Sequence, residues 1–366
     1  MDHATTILTL PNELLLAIVA AGQEIVEGQQ LKSEWTCSQV CRRFRDVIVG
    51  APGLWTLIDL DLHSDSLADI ANVYFTRSQA CLLSATLRES KDIEKDTFVA
   101  EQLSVIVPHI HRIRHLRLFL SANPQTALAP LRPINASNLE RLEIRNTVDV
   151  YDATLELFSA GAEMLGFIGI EGITPYFPVP WAAALTHLDL LRREEWKSRS
   201  WGPTISTHCP SLAHLSLCMV DISIGQLHLP CLKTLHISLL DSVADQSHLL
   251  AIFDLFDTPA LVEFTIINTH GDQILVLFNS TTLPHSSFPA LTSLTFVNAA
   301  LCHCEEIPDD ALPITSAPPL FPLLSSLSLI HQCLMPHLVE GVLSQGRGGR
   351  VRYSLECMPS KITGAA

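Results

Sequence analysis

The chain has 366 residues, 48% of them hydrophobic and 17% charged, which supplies ample material for a large core and too few charges for extensive disorder. That length exceeds one ordinary compact domain and suits a small domain joined to a repeat array. The formal net charge of −15 disfavours nucleic acid or an anionic membrane as the main partner, because both reward a basic face.

No segment suits a membrane span. The longest apolar run near the start, Leu14 to Ala21, is about half of what a spanning helix needs. Asp2 and Glu13 break the basic stretch of a secretory signal, so the expected setting is cytoplasmic, nuclear or both. Ten cysteines without a framework of spacings read as buried, reduced thiols.

In chain order, the first element is a helix opening at Leu10-Pro11, where proline's missing N–H costs nothing. Leu10, Leu14, Leu15, Ile18 and Val19 recur at helical spacing along it. A polar stretch from Gln23 to Glu34 follows. Trp35, Val40, Phe44, Val47 and Ile48 then predict a second helical stripe, and Ala51-Pro52-Gly53 a turn before Leu54-Trp55. Such a hairpin has more apolar surface than about fifty residues can hide alone. The surplus must pack on the rest of the chain or face a partner.

Three blocks here, Leu10-Pro11-x-Glu13-Leu14-Leu15, Val40-Cys41-Arg42-Arg43-Phe44 and Pro52-x-Leu54-Trp55, resemble the F-box motif in its order. The resemblance implies docking onto the Skp-type adaptor subunit, and through it the cullin, of an SCF-type ubiquitin ligase. Leu10, Pro11, Leu14, Ile18, Val40, Cys41, Phe44, Leu54 and Trp55 would fill or border that interface, with Glu13 and Arg43 at its polar rim.

After the strand-like stretch Leu82 to Leu87, a phrase of the form apolar-x-x-apolar-x-apolar recurs from Ile113 onward. It opens at Ile113, Leu139, Leu165, Leu185, Leu212, Leu232, Leu261, Leu291 and Leu324. Pro210, Pro230, Pro259, Pro289 and Pro322 each stand two residues before an opening position. Most intervals fall in the window of leucine-rich repeats. Each phrase predicts a parallel strand, with helical returns at Ala153 to Leu165 and His248 to Phe256 and an irregular return at the proline-rich Leu301 to Pro319. Val351 to Cys357 predicts a closing strand. The layout resembles the large F-box families of mushroom-forming fungi. The expected fold is therefore α/β: a helical F-box hairpin over residues 1–60, then an irregular leucine-rich-repeat solenoid over 61–366, with parallel strands and helix or loop returns.

If the apolar positions point inward, the residues between them line the other, concave face. At one end these are His115, Arg117, Arg141, Glu143 and Arg145. His187, Asp189, His214 and His236 follow, then mainly hydroxyls. The arginine-bearing end suits an acidic or phosphorylated segment of a protein target, and a solvated face with no ligand is the alternative.

Catalytic patterns are missing: no Gly-x-Ser-x-Gly elbow, His-Glu-x-x-His pair or phosphate-cradling glycine loop occurs. Cys302-His303-Cys304 lacks the paired elements of a zinc site. The expectation is a non-enzymatic ubiquitin-ligase adaptor without metal or cofactor. The other reading is a leucine-rich interaction scaffold that never joins a ligase.

Overall fold

A computed structural model describes residues 7, 10–24, 32–89, 96–147, 154–175, 180–191, 202–219, 226–239, 247–269, 273–274, 277, 288–297, 321, 323–330 and 352–356. By compactness the chain divides into two units, Met1–Leu165 and Gly166–Ala366.

The first unit opens with three helices, α1 (Asn12–Glu24), α2 (Ser33–Ser38) and α3 (Arg42–Val49). The Pro11 carbonyl accepts from the Leu14 and Leu15 amides, so the helix starts directly after the proline. The single stripe expected from Trp35 to Ile48 is instead two helices. Ser38 Oγ donates to the Trp35 carbonyl at 2.8 Å, Gln39 and Val40 form a turn, and Cys41 is extended at φ −158°. A serine bonding its own helix backbone competes with continuation. The break throws Val40 out of the stripe, 61% exposed.

A short 3-10 turn, Pro52–Trp55, leads into β1 (Leu57–Asp61). Then come α4 (Leu67–Arg77), β2 (Leu83–Arg88), α5 (Asp96–Leu103), β3 (Ile113–Leu120) and β4 (Arg141–Asn146). Strands β1 to β4 pair in order, all parallel. Inward residues such as Ile58, Leu60, Leu116, Leu118, Leu142 and Ile144 are at most 2% exposed. Between Leu83 and Ser84 the pairing with β3 skips Arg114, a bulge that puts His115 and Arg117 on the outward rows.

In the second unit the strands Phe167–Glu171, His187–Leu191, His214–Met219, Thr234–Leu239, Glu263–Ile267, Ser293–Val297, Ser326–Ile330 and Arg352–Glu356 follow one another in a parallel sheet. All nine phrases are strands, and the closing strand is present. Phe253, Phe264, Phe288 and Phe321 cluster beneath them, with Phe253 5.1 Å from Phe264 and 5.5 Å from Phe288.

The helical return at His248 to Phe256 is present as Ser247–Leu255. The one expected at Ala153 to Leu165 is not helical over its described residues. Thr154–Leu155 is a short strand, and Phe158 (φ 51°) and Gly161 (φ 130°) take backbone conformations that no right-handed helix accepts. Leu301 to Pro319 lies outside the described residues.

Each described repeat begins with the same device. The first apolar residue of the phrase donates its amide to the carbonyl three residues back, as in Leu212 to Cys209, Leu232 to Leu229 and Leu261 to Thr258. Proline at the second position of such a turn is pre-set for it. In these three the strand then starts two residues later. Ala51-Pro52-Gly53-Leu54 makes the same turn, Leu54 to Ala51 at 3.1 Å, directly before β1.

Candidate functional site

Two surfaces of the first unit carry most of the predicted site residues. The first is α1. Leu15 and Val19, four residues apart, are 2% exposed and pack inward. Leu14 and Ile18, also four apart, are 51% and 52% exposed, so the helix carries a second apolar row toward solvent. Pro11 and Glu13 are exposed as well, while Leu10 and Cys41 are half-buried. Phe44, Leu54 and Trp55 are buried at 5%, 6% and 0%, which makes them the glue of the helical module. Trp55 donates to the Ile48 carbonyl at 3.0 Å and meets Tyr74 edge-on at 5.5 Å. Arg43 also ties the module together, donating to the Leu10 carbonyl and to Asn12 Oδ1 at 2.9 Å.

The second surface is the outward face of β1 to β4, where the register sets three rows. The first runs Leu57, Ser84, His115, Arg141, and the second Asp59, Thr86, Arg117, Glu143. The third is Asp61, Arg88, Phe119, Arg145. Adjacent strands stand about 4.8 Å apart, so side chains in one row touch. Glu143 Oε1 receives Arg141 Nε at 2.6 Å and Arg117 Nε at 3.3 Å. Arg88 meets Asp59 at 3.3 Å, and its guanidinium lies 4.6 Å from the Phe119 ring centre, with that of Arg145 at 5.6 Å. His115 Nδ1 is 3.1 Å from Ser84 Oγ.

Part of this face meets the end of α1 and the start of α2 across a cavity of about 340 Å³. Lys32, Glu34, Asp59, Tyr74, Arg88, His115, Arg117 and Arg141 are among its lining residues. Glu34, 3% exposed, accepts from the Tyr74 hydroxyl and from Gln23 Nε2 at 2.9 Å, while Trp35 Nε1 donates to Tyr74 Oη at 3.0 Å. Burial, then the hydrogen bond to Glu34, push the Tyr74 phenol upward, so it stays a donor. Lys32 donates to the Asp59 carbonyl at 2.8 Å and lies 5.0 Å from the Tyr74 ring centre. Its ammonium is pushed below the ordinary range by burial, against the pull of Asp59 and Glu34. Burial also lowers His115, with Arg114, Arg141 and Arg117 adding to the effect against Glu140.

Strand alternation alone singles out Arg117, Arg141, Glu143 and His115, but the cavity also draws on Lys32, Glu34, Tyr74 and Arg88. Arg88 ends an alternating strand, and that alternation is enough to place it. Lys32 stands in a link with no periodicity, so nothing local marks it. Arg112, part of the basic run with Arg114 and Arg117, is structural. It donates to the Phe75 carbonyl at 3.1 Å and to Ser78 Oγ at 2.6 Å, tying down the end of α4.

In the second unit the register joins His187 with His214 and Asp189 with Ser216 and His236. His187 and His214 stack at 4.1 Å and 14°. His236 lies one row away from that pair. Among the described residues no cluster of histidine, cysteine or carboxylate groups is placed to hold a metal, and Cys302-His303-Cys304 lies outside them. No described helix is long and apolar enough to cross a membrane. Comparison with protein-family models and with curated proteins finds no match for this chain.

Proposed function

We propose that this chain is a substrate-recognition adaptor of an SCF-type ubiquitin ligase. Its α1 helix would dock on the Skp-type subunit, and its outward sheet faces would hold a protein target. One observation carries this reading. The helical module completes its own core with Leu15, Val19, Phe44, Ile48, Leu54 and Trp55, yet leaves the row of Leu14 and Ile18 in water. Each is already half covered, so burying the rest of each side chain in a partner would be worth about 1 kcal/mol. The other large exposed apolar residues mostly stand singly, which needs no explanation. The adaptor performs no chemistry itself. Tethering raises the target's effective concentration beside the ubiquitin-loaded enzyme.

The test is a pull-down of Skp-type and cullin subunits by the full chain, beside a Leu14→Asp, Ile18→Asp double variant and a Leu82→Asp control. Capture that is lost in the double variant and kept in the control supports the adaptor. No capture by the folded wild type sinks it. In favour of the scaffold reading stands the burial of Phe44 in the second block and of Leu54 and Trp55 in the third, which serves as the turn into β1. The same absence of capture is what that reading expects.

A further inference from the structure

The cavity between the outward face of β1 to β4 and the facing ends of α1 and α2 has no part in the docking of α1. Its walls carry four cationic groups, Lys32, Arg88, Arg117 and Arg141. Among the described residues, the carboxylates near them have hydrogen-bonding or ionic partners of their own. Glu34 is taken by Tyr74 and Gln23, and Asp59 faces Arg88. Glu143 is shared by two guanidinium groups. The ammonium of Lys32 is anchored through a neutral carbonyl, that of Asp59.

We infer that this cavity is an oxyanion-binding site, taking a phosphoryl group between the Lys32 ammonium and the Arg117 and Arg141 guanidinium groups. Guanidinium forks and a lysine point charge are the usual partners of phosphate oxygens. The row geometry suits it, since Arg117 and Arg141 come from adjacent strands and neighbouring rows. At about 340 Å³ the cavity sits at the small end of ligand pockets, with room for one phosphorylated side chain or a small phosphorylated molecule. Burial is the largest cause that holds both Lys32 and His115 below their ordinary values, which marks the cavity as partly desolvated. The site stands apart from ligase docking and rests on the target-binding reading only for where its phosphoryl group would come from.

The test is calorimetric titration of the full chain in chloride buffer with inorganic pyrophosphate, and with a capped phosphoserine peptide beside its unphosphorylated form. Saturable binding is expected, weakened at least tenfold in Lys32→Gln and in Arg117→Gln and kept in Arg42→Gln, whose side chain is 95% exposed on α3. A phosphopeptide that binds tighter than pyrophosphate assigns the group to a protein side chain. Pyrophosphate binding tighter assigns it to a free small molecule, and either result supports the site. Because half-buried substitutions can disturb folding, the His115 ring is also titrated by NMR in the wild type, where the bound anion must raise its pKa. No saturable binding of either probe, or equal affinity in all three variants, overturns the inference, and leaves the docking of α1 untouched.

Discussion

The outward sheet faces of the two units are built from the same strand phrase and differ in what fills it. In the first unit each row mixes opposite charges or sets a histidine beside an arginine, with Asp59, Arg117 and Glu143 in one and His115 next to Arg141 in another. In the second, Ser216, Thr265, Thr295 and Ser328 share one row with His236, and a pair of stacked imidazoles stands on the next. The inward faces of both are aliphatic and aromatic. The packing of the fold is therefore written on one side of each strand, while the other side is free to vary in charge and polarity. A substitution's effect should depend on which side it falls.

The hardest blow to that comparison comes from the shared inward side. Leu116→Ala in the first unit and Phe253→Ala in the second should each cost about 2–5 kcal/mol in urea unfolding, because both side chains are fully enclosed. If only one variant lost stability, the two cores would not be alike. A smaller loss belongs to the first unit alone. Arg112→Ala frees the Phe75 carbonyl and Ser78 hydroxyl at the end of α4, and about 1–3 kcal/mol is expected by the same method.

Acidification should separate the units most gently. His109, stacked on Phe75 at 3.8 Å, and His115 both titrate below the ordinary histidine value, burial being the largest cause. The folded state then binds fewer protons than the unfolded one. Stability present at neutral pH is lost as pH falls through about 6.5 toward the folded values. The urea midpoint should drop between about pH 7.5 and about pH 5.5, and a His109→Asn, His115→Asn double variant should drop less. An equal fall in both would remove these two rings as the cause.

The strands are legible in the sequence because their apolar spacing is a packing requirement, and each phrase contains its own start signal. After the first phrase, at Ile113, the phrases nevertheless run two residues ahead of their strands. Their opening apolar residue closes the turn, as Leu212 does on Cys209, before the ladder begins. The strand before α4 is hidden because Pro52-Gly53-Leu54 also satisfies the third block of the F-box resemblance, and Leu57 to Asp61 is too short to stand out after it. The loop after β4 carries a helix-like apolar pattern, since residues with positive φ such as Phe158 leave no mark in hydrophobic spacing. The arginine rows follow from alternation alone. The cavity does not, because it depends on Lys32 and Glu34 meeting strands that start more than twenty residues further on.

The repeated turn also bears on how such a chain can change over generations. In the second unit, from Phe167 onward to Ser326, successive strands of the sheet begin between 20 and 33 residues apart, yet the pairing from Thr234 to Ser326 keeps one row aligned. Each turn resets the phase, so insertions or deletions in a return are absorbed before the next strand starts. Whole units could be gained, lost or exchanged while the remaining rows stayed in line. A lineage carrying this device could rewrite its outward surface one row at a time, with its folding machinery left alone.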